Sequence, residues 1–400
     1  MRIAILTMND AARPGETAAA HLRVGPLTIA RHQLALMLVL GCERIICLSQ
    51  RFDADLVALQ HVAEAGQASF HVLTGHRGLP ALITAHDEVF ALAEGLLPWP
   101  ELARSLLDHA PVVLAQPIEV GIANGFERLD INHAAAGAFR APGRLVERMA
   151  ELPADYDVFS GLQRIALQAG VPMVELPAEA AETGRWALVR NEAGAQAIEA
   201  GWIRLHTASA TRTPSLILAR RMVRMGGAAL LHAGSGSVAV TVAALVLLAL
   251  ALVAAWFALS LPALVLVAGG AALLAVSGLF GAVERAARLL PPPRMPAGVL
   301  ANGVIDAVLV LVITWGTVPT GAPWAPGRLF APLVLLGASR LVARTVQRRW
   351  GPLLADRVAL AAVLALTAIP GWLGGAVAVL GLAVIAAGLF ATRTGGRSSG

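Results

Sequence analysis

Lysine is missing from all 400 residues, so the 31 basic side chains are all arginine. Arginine without lysine can reflect genome composition alone, so the net charge of +5 is not read as a nucleic-acid-binding surface. Cysteine occurs only as Cys42 and Cys47, which excludes a disulfide framework and a cysteine zinc site and points to two small buried apolar side chains. Charge is scarce too: 14% of residues are charged and 57% hydrophobic, far from the usage of a soluble globular chain. Histidines such as His21, His76 and His133 show no H-x3-H or H-E-x2-H pairing, so they read as surface or core residues. The first ten residues hold one Arg and a short apolar run without a cleavage site, so no signal peptide is expected.

What is present is unevenly spread. Charge runs through the first two hundred residues, while the remainder consists of long Ala, Leu and Val runs. This predicts a cytosolic domain over 1–208, an amphipathic helix and linker over 209–236, a membrane domain over 237–393 and a polar tail over 394–400.

In the first half, RIAILTM (2–8) and ERIICLS (43–49) are short apolar runs suited to buried parallel strands, with a helix over 28–40 between them stopped at Gly41. A helix over 54–65, a strand over 69–74, a helix start at 80–85 and a strand over 87–93 continue the alternation. This order argues for an α/β sandwich around a mainly parallel sheet. Ligands gather at the ends of such strands, which makes the turn at Glu94 a site candidate. A helix over 157–170, a strand over 171–176 and a helix over 192–207 follow, with Trp186 and Trp202 packed in the core. Asp130, Asp155 and Asp157 read as turn or helix caps, or as a second metal ligand.

This half resembles the sugar-nucleotide type of nucleotidyltransferase, which has a Rossmann-like sheet. Ile5 to Asp10 occupies the position of that family's first strand and Gly-rich loop, Arg23 to Leu27 its K-P-L segment, and Glu94 its metal-holding Asp. The resemblance implies nucleotide binding through Arg13, Arg23 and Glu94. The loop MNDAARPGETAAA carries a lone Gly15, short of a successive N–H cradle for a triphosphate. Turnover, or a sheet retained for binding a nucleotide or a partner, are both open.

In the second half, SLILARRMVRMGGAALLH sets Arg220, Arg221 and Arg224 against Leu, Ile and Met, a pattern for a helix lying on a membrane surface. Six spans are expected, at 238–259, 262–282, 297–318, 329–344, 356–372 and 374–391. Arginines alternate by loop in the positive-inside sense, which predicts a multi-pass inner-membrane protein with both termini cytoplasmic. Arg340 and Arg344, near one end of the fourth span, suit either a phosphate or a snorkelling position.

The polar stretch 281–306, GAVERAARLLPPPRMPAGVLANGVID, organises this half. Gly298, Asn302 and Asp306 are four apart and share one helix face. An ionisable side chain such as Asp306 inside a span is costly without a partner or a task. The bland alternative is that Asp306 and Asn302 only hydrogen-bond neighbouring helices. The spacing resembles the CDP-alcohol phosphotransferase signature D-x2-D-G-x2-A-R-x8-G-x3-D-x3-D. Glu284 stands at its second Asp, Asn302 at its third, and Gly298 and Asp306 match outright; Gly281 stands at the first.

That resemblance implies Asp306 as the base acting on the acceptor alcohol, and Glu284, Asn302 and Asp306 as ligands of a divalent metal, Mg or Mn. It further implies Glu284, Arg288, Arg294, Gly298 and Asn302 as the substrate-binding set. Together the halves resemble bifunctional proteins that make CDP-inositol and pass phosphoinositol to an acceptor. The expected fold is thus a Rossmann-like nucleotidyltransferase-type α/β domain followed by an all-α six-span bundle. The expected partners are a lipid or CDP-alcohol substrate and a membrane, with no nucleic acid; a homodimer is left open. The rival expectation is a catalytically silent, membrane-anchored protein that binds a nucleotide, a lipid or a partner.

Overall fold

The computed structural model describes residues 1–8, 17–153, 156–208, 213–232, 236–293, 297–317, 326–345, 351–369 and 371–395. Two compact units emerge, one of Met1–Leu205 with Ala286–Leu290, the other of His206–Arg285 with Pro291–Gly400.

The first unit is built on a seven-stranded sheet. In chain order its strands are β1 (Arg2–Met8), β2 (Arg44–Ser49), β3 (Ser69–Leu73), β4 (Glu88–Leu92), β5 (Val112–Pro117), β6 (His133–Pro142) and β7 (Met173–Glu175). Their order across the sheet is β7-β5-β6-β4-β1-β2-β3. All pairings are parallel except those of β6, which runs antiparallel to both β4 and β5. The apolar runs become strands because both of their faces are covered: Ile3, Ala4, Ile5 and Leu6 are all at most 2% exposed.

Helices α1 (Ile29–Val39), α2 (Ala54–Ala65), α3 (Pro100–Leu107), α4 (Val158–Gln168) and α5 (Glu192–His206) follow the strands. Four start on side-chain caps: Thr28 accepts from Arg31 N, Asp53 from Leu56 N, Asp157 from Ser160 N and Asn191 from Gly194 N. The helix start expected at 80–85 is a single turn, Leu79–Leu82. Trp186 and Trp202 are buried.

The second unit is helical: α6 (Pro214–His232), α7 (Gly236–Trp256), α8 (Ser260–Ala287), α9 (Ala297–Gly316), α10 (Phe330–Thr345), α11 (Arg357–Ala368) and α12 (Leu373–Gly395). Each of the six expected apolar runs holds a helix among its described residues. Among the described residues, however, four helices rather than six are long and apolar enough to cross a membrane: Gly236–Trp256, Ser260–Ala287, Gly298–Gly316 and Leu373–Phe390. With 16 and 12 residues, α10 and α11 reach only about 24 and 18 Å against a hydrocarbon core of about 30 Å. At its start α11 begins where expected, with Asp356 capping it through Val358 N and Ala359 N at 2.9 and 3.1 Å; the shortfall is at the other end, where the helix stops at Ala368. Membrane association follows from the four long helices.

Candidate functional site

Strand order reverses where β4 and β2 lie on either side of β1, which is the topological switch of an open α/β sheet. A cavity of about 210 Å³ opens at the carboxyl ends of β1 and β4, lined among others by Thr7, Glu94, Phe126, Glu127, Asp157 and Arg190. Thr7 arrives on β1 and Glu94 on the turn after β4. That turn is held from several sides. Gln33, on α1, donates its Nε2 to Ala93 O at 2.9 Å and to Leu96 O at 2.8 Å, and Val189 N donates to Gly95 O at 2.8 Å. Gly95 has φ +81°, and a Cβ there would lie 2.2 Å from Val189 O, so only glycine fits beside Glu94.

The opposite wall comes from later in the chain. Asp157 Oδ2 accepts from Ser160 N at 2.7 Å, the capping bond of α4, and Ser160 Oγ donates to Glu127 Oε2 at 3.0 Å. Arg190 donates to Gly125 O. Asp157 therefore fulfils its expected capping role while lining the cavity. Glu127 and Arg190 carry no sequence signal for it.

The other expected nucleotide residues lie elsewhere or beyond description. Arg23 is exposed on the two-residue strand Arg23–Val24 and does not line this cavity. Arg13 lies outside the described residues, as do Gly15 and Asp155.

In the helical unit the organising group is Asp306 on α9. Arg357 Nε and Nη2 donate to its Oδ1 and Oδ2 at 2.5 and 3.1 Å, and Arg340 Nε lies 2.7 Å from Oδ2. Arg357 is 3% exposed at its side chain, and its Nη1 donates to Ser339 Oγ at 3.0 Å. One carboxylate thus faces two guanidinium groups, leaving the cluster one positive charge in excess. Arg340, 44% exposed at its side chain, is the accessible member.

Two of the three expected metal ligands, Asp306 and Glu284, already have protein partners. Both oxygens of Asp306 are occupied by arginine. Asn302 is exposed and, among the described residues, forms no side-chain hydrogen bond. Glu284 accepts from Ser237 Oγ at 3.3 Å through Oε2, while its Oε1 is buried without a hydrogen-bond partner. Among the described residues no group of three or more His, Cys, Asp or Glu is placed to hold a metal ion. A hard divalent cation needs several anionic oxygens free to turn toward it, so the donor set does not fit Mg or Mn. Gly298 and Arg288 are exposed, and Arg294 lies outside the described residues. Arg357, which sequence reasoning missed, had one signal: it follows Asp356 directly at the head of an apolar run.

No protein-family profile matches the chain, and no curated protein matches it. Solved structures similar to it are nucleotidyltransferases, paired with about half of this chain. A glucose-1-phosphate thymidylyltransferase from Bacillus anthracis is 11% identical, with 50% of this chain and 94% of the other covered at a TM-score of 0.37. The inositol-1-phosphate CTP transferase from T. maritima is 12% identical over 50% and 94%, also at 0.37. UDP-glucose pyrophosphorylase from Acinetobacter baumanii is 10% identical over 56% and 99%, at 0.40.

Proposed function

We propose that the chain is a membrane protein of phospholipid or polar head-group biosynthesis, moving a phospho-alcohol from a CDP-linked donor to an acceptor alcohol. The observation that carries this reading is the Asp306–Arg340–Arg357 cluster. An ionic group of three in an apolar helical unit is expensive unless it serves a ligand, and its surplus positive charge suits a phosphate.

In this reading Arg340 leaves Asp306 Oδ2 for an oxygen of the incoming diphosphate, while Arg357 stays and keeps the carboxylate oriented. Oδ2, still accepting from Arg357 Nη2, then takes the proton of the acceptor hydroxyl on the side that Arg340 has vacated. The alcohol oxygen bonds to the phosphorus that carries the donor alcohol, the diphosphate bridge breaks, and CMP leaves with the bridging oxygen. No step is routed through a metal. The inner-membrane location and cytoplasmic termini belong to this proposal and are supported by the arginine distribution.

Membranes containing the full chain, given an acceptor alcohol and CDP-alcohol labelled in its cytidine, test it. CMP release that falls at least a hundredfold in Asp306→Asn is expected; equal release in both removes Asp306 from the chemistry.

A second reading is favoured by one specific observation, that both Asp306 oxygens already have arginine partners. The unit would then bind a phosphorylated head group without turning it over. Saturable CDP-alcohol binding with no CMP release, in wild type and variant alike, is its signature.

A further inference from the structure

Helix α6 has three distinct sides. Ala219 and Val223, four residues apart, are buried, and the helix packs against α7 and α11. Leu218, Met222 and Met225, at i, i+4 and i+7, form a second side and are 41, 42 and 79% exposed. Arg221 and Arg224 are exposed alongside. Three large apolar side chains in one exposed row flanked by arginines are ill suited to water and well suited to the boundary between headgroups and acyl chains. The same unit carries four helices fit to cross a bilayer, so a lipid surface adjoins it.

The start of α6 is tied to the helix that holds Asp306. Asp356 is 5% exposed, and its Oδ2 accepts both the N–H and the hydroxyl of Ser215, each at 2.8 Å. Its Oδ1 caps α11. One carboxylate therefore joins two helix starts, and the next residue, Arg357, grips Asp306.

We propose that α6 is a seat for anionic phospholipid headgroups, and that the Ser215–Asp356 joint transmits its occupancy to α11. The positive charge of Arg221 and Arg224 selects an anionic leaflet over a zwitterionic one. Seating presses Leu218, Met222 and Met225 into the acyl boundary, and the joint then restrains the start of α11. The proposal does not depend on turnover at Asp306.

The test uses the full chain reconstituted in vesicles of phosphatidylcholine alone or with phosphatidylglycerol added. Nitroxide labels are placed at Met225→Cys or at Leu366→Cys, an exposed position on α11; the native Cys42 and Cys47 are buried. In anionic vesicles the label at 225 should be shielded from an aqueous relaxation agent. Arg221→Gln with Arg224→Gln should shift the balance toward the unshielded position by about fivefold per arginine removed. The label at 366 should lose mobility when phosphatidylglycerol is added, a response absent in Ser215→Ala and retained in Ser215→Thr. Equal shielding in both vesicle types, or no effect of the arginine changes, overturns the seat. An unaltered response at 366 in Ser215→Ala overturns the joint. CMP release is not read, so failure here is distinct from failure of the phosphotransfer reading.

Discussion

Arg357 grips Asp306 through two nitrogens across 51 residues of sequence, while Asp356, its immediate neighbour, takes hold of Ser215. Two adjacent side chains of opposite charge thus fasten α11 to two different helices. The arrangement makes α11 a clasp, although it is too short to be a full span.

Breaking the buried half of this cluster should cost much more than breaking the exposed half. Arg357→Leu removes a partner that is 3% exposed at its side chain and leaves Asp306 to Arg340 alone, a loss of about 1.5–3 kcal/mol, short of the penalty for a buried ion left wholly unpaired. Arg340→Gln removes a group that is 44% exposed, so solvent screening keeps its effect below about 1 kcal/mol. Unfolding midpoints of the detergent-solubilised protein should follow that order. Equal losses would contradict the assignment of Arg357 as the structural partner.

The turn bearing Glu94 depends on Gln33 in a way that can be isolated. Gln33→Leu keeps the volume and removes both bonds to Ala93 O and Leu96 O. Loss of both is expected to cost about 2–4 kcal/mol if the carbonyls stay dry. Urea unfolding followed by fluorescence checks this. A change below about 0.5 kcal/mol would show that other groups hold the turn.

The sequence foreshadows much of this fold where the signal is local. Strands β1 to β4 are short apolar runs between breakers, and Gly41 and Asp157 mark helix ends on their own. Strand β6 resists such reading, because HAAAGAFRAP is rich in alanine, a poor strand former, and acts as a strand only because β4 and β5 pair with it from both sides. The candidate sites divide similarly. Glu94 is legible as the residue after a strand, and Asp306 as a charge in an apolar run. Glu127 and Arg190 reach the cavity from loops, and the partners of Asp306 come from α10 and α11, so no spacing encodes them. Six apolar runs read as six spans because hydropathy marks an apolar helix without requiring the length of a crossing, and the runs at 329–344 and 356–372 hold helices of only 16 and 12 residues.

Cys42 and Cys47 should be silent thiols in the folded protein. Burial pushes each up to about 12 from an ordinary value of 9.0, so almost no thiolate exists at neutral pH. Labelling by a disulfide reagent should therefore require opening of the α/β unit, with a rate that rises in step with urea as unfolding does. Rapid labelling of either cysteine in native conditions would contradict their burial.

The last prediction concerns pH. His133 Nδ1 lies 2.9 Å from Asp130 Oδ2, and its Nε2 lies 2.9 Å from Glu175 Oε1. The hydrogen bond to Asp130, then that to Glu175, raises His133 above its ordinary 6.5, and the bond from His133 lowers Asp130 below its ordinary 3.8. A raised histidine contributes stability that is complete below its unfolded value and is lost as pH climbs through the higher folded value. A lowered aspartate contributes above its unfolded value and loses that contribution as pH falls through the lower folded one. The link among β6, β7 and the turn at Asp130 should thus be strongest in the interval between roughly 4 and 6.5, the ordinary aspartate and histidine values. Proton NMR of the His133 ring should give a midpoint above 6.5 in the wild type and a lower one in Asp130→Asn. In His133→Gln the decline of stability above that interval should be shallower. An identical His133 midpoint with and without the Asp130 carboxylate would show that the pair does not form in solution.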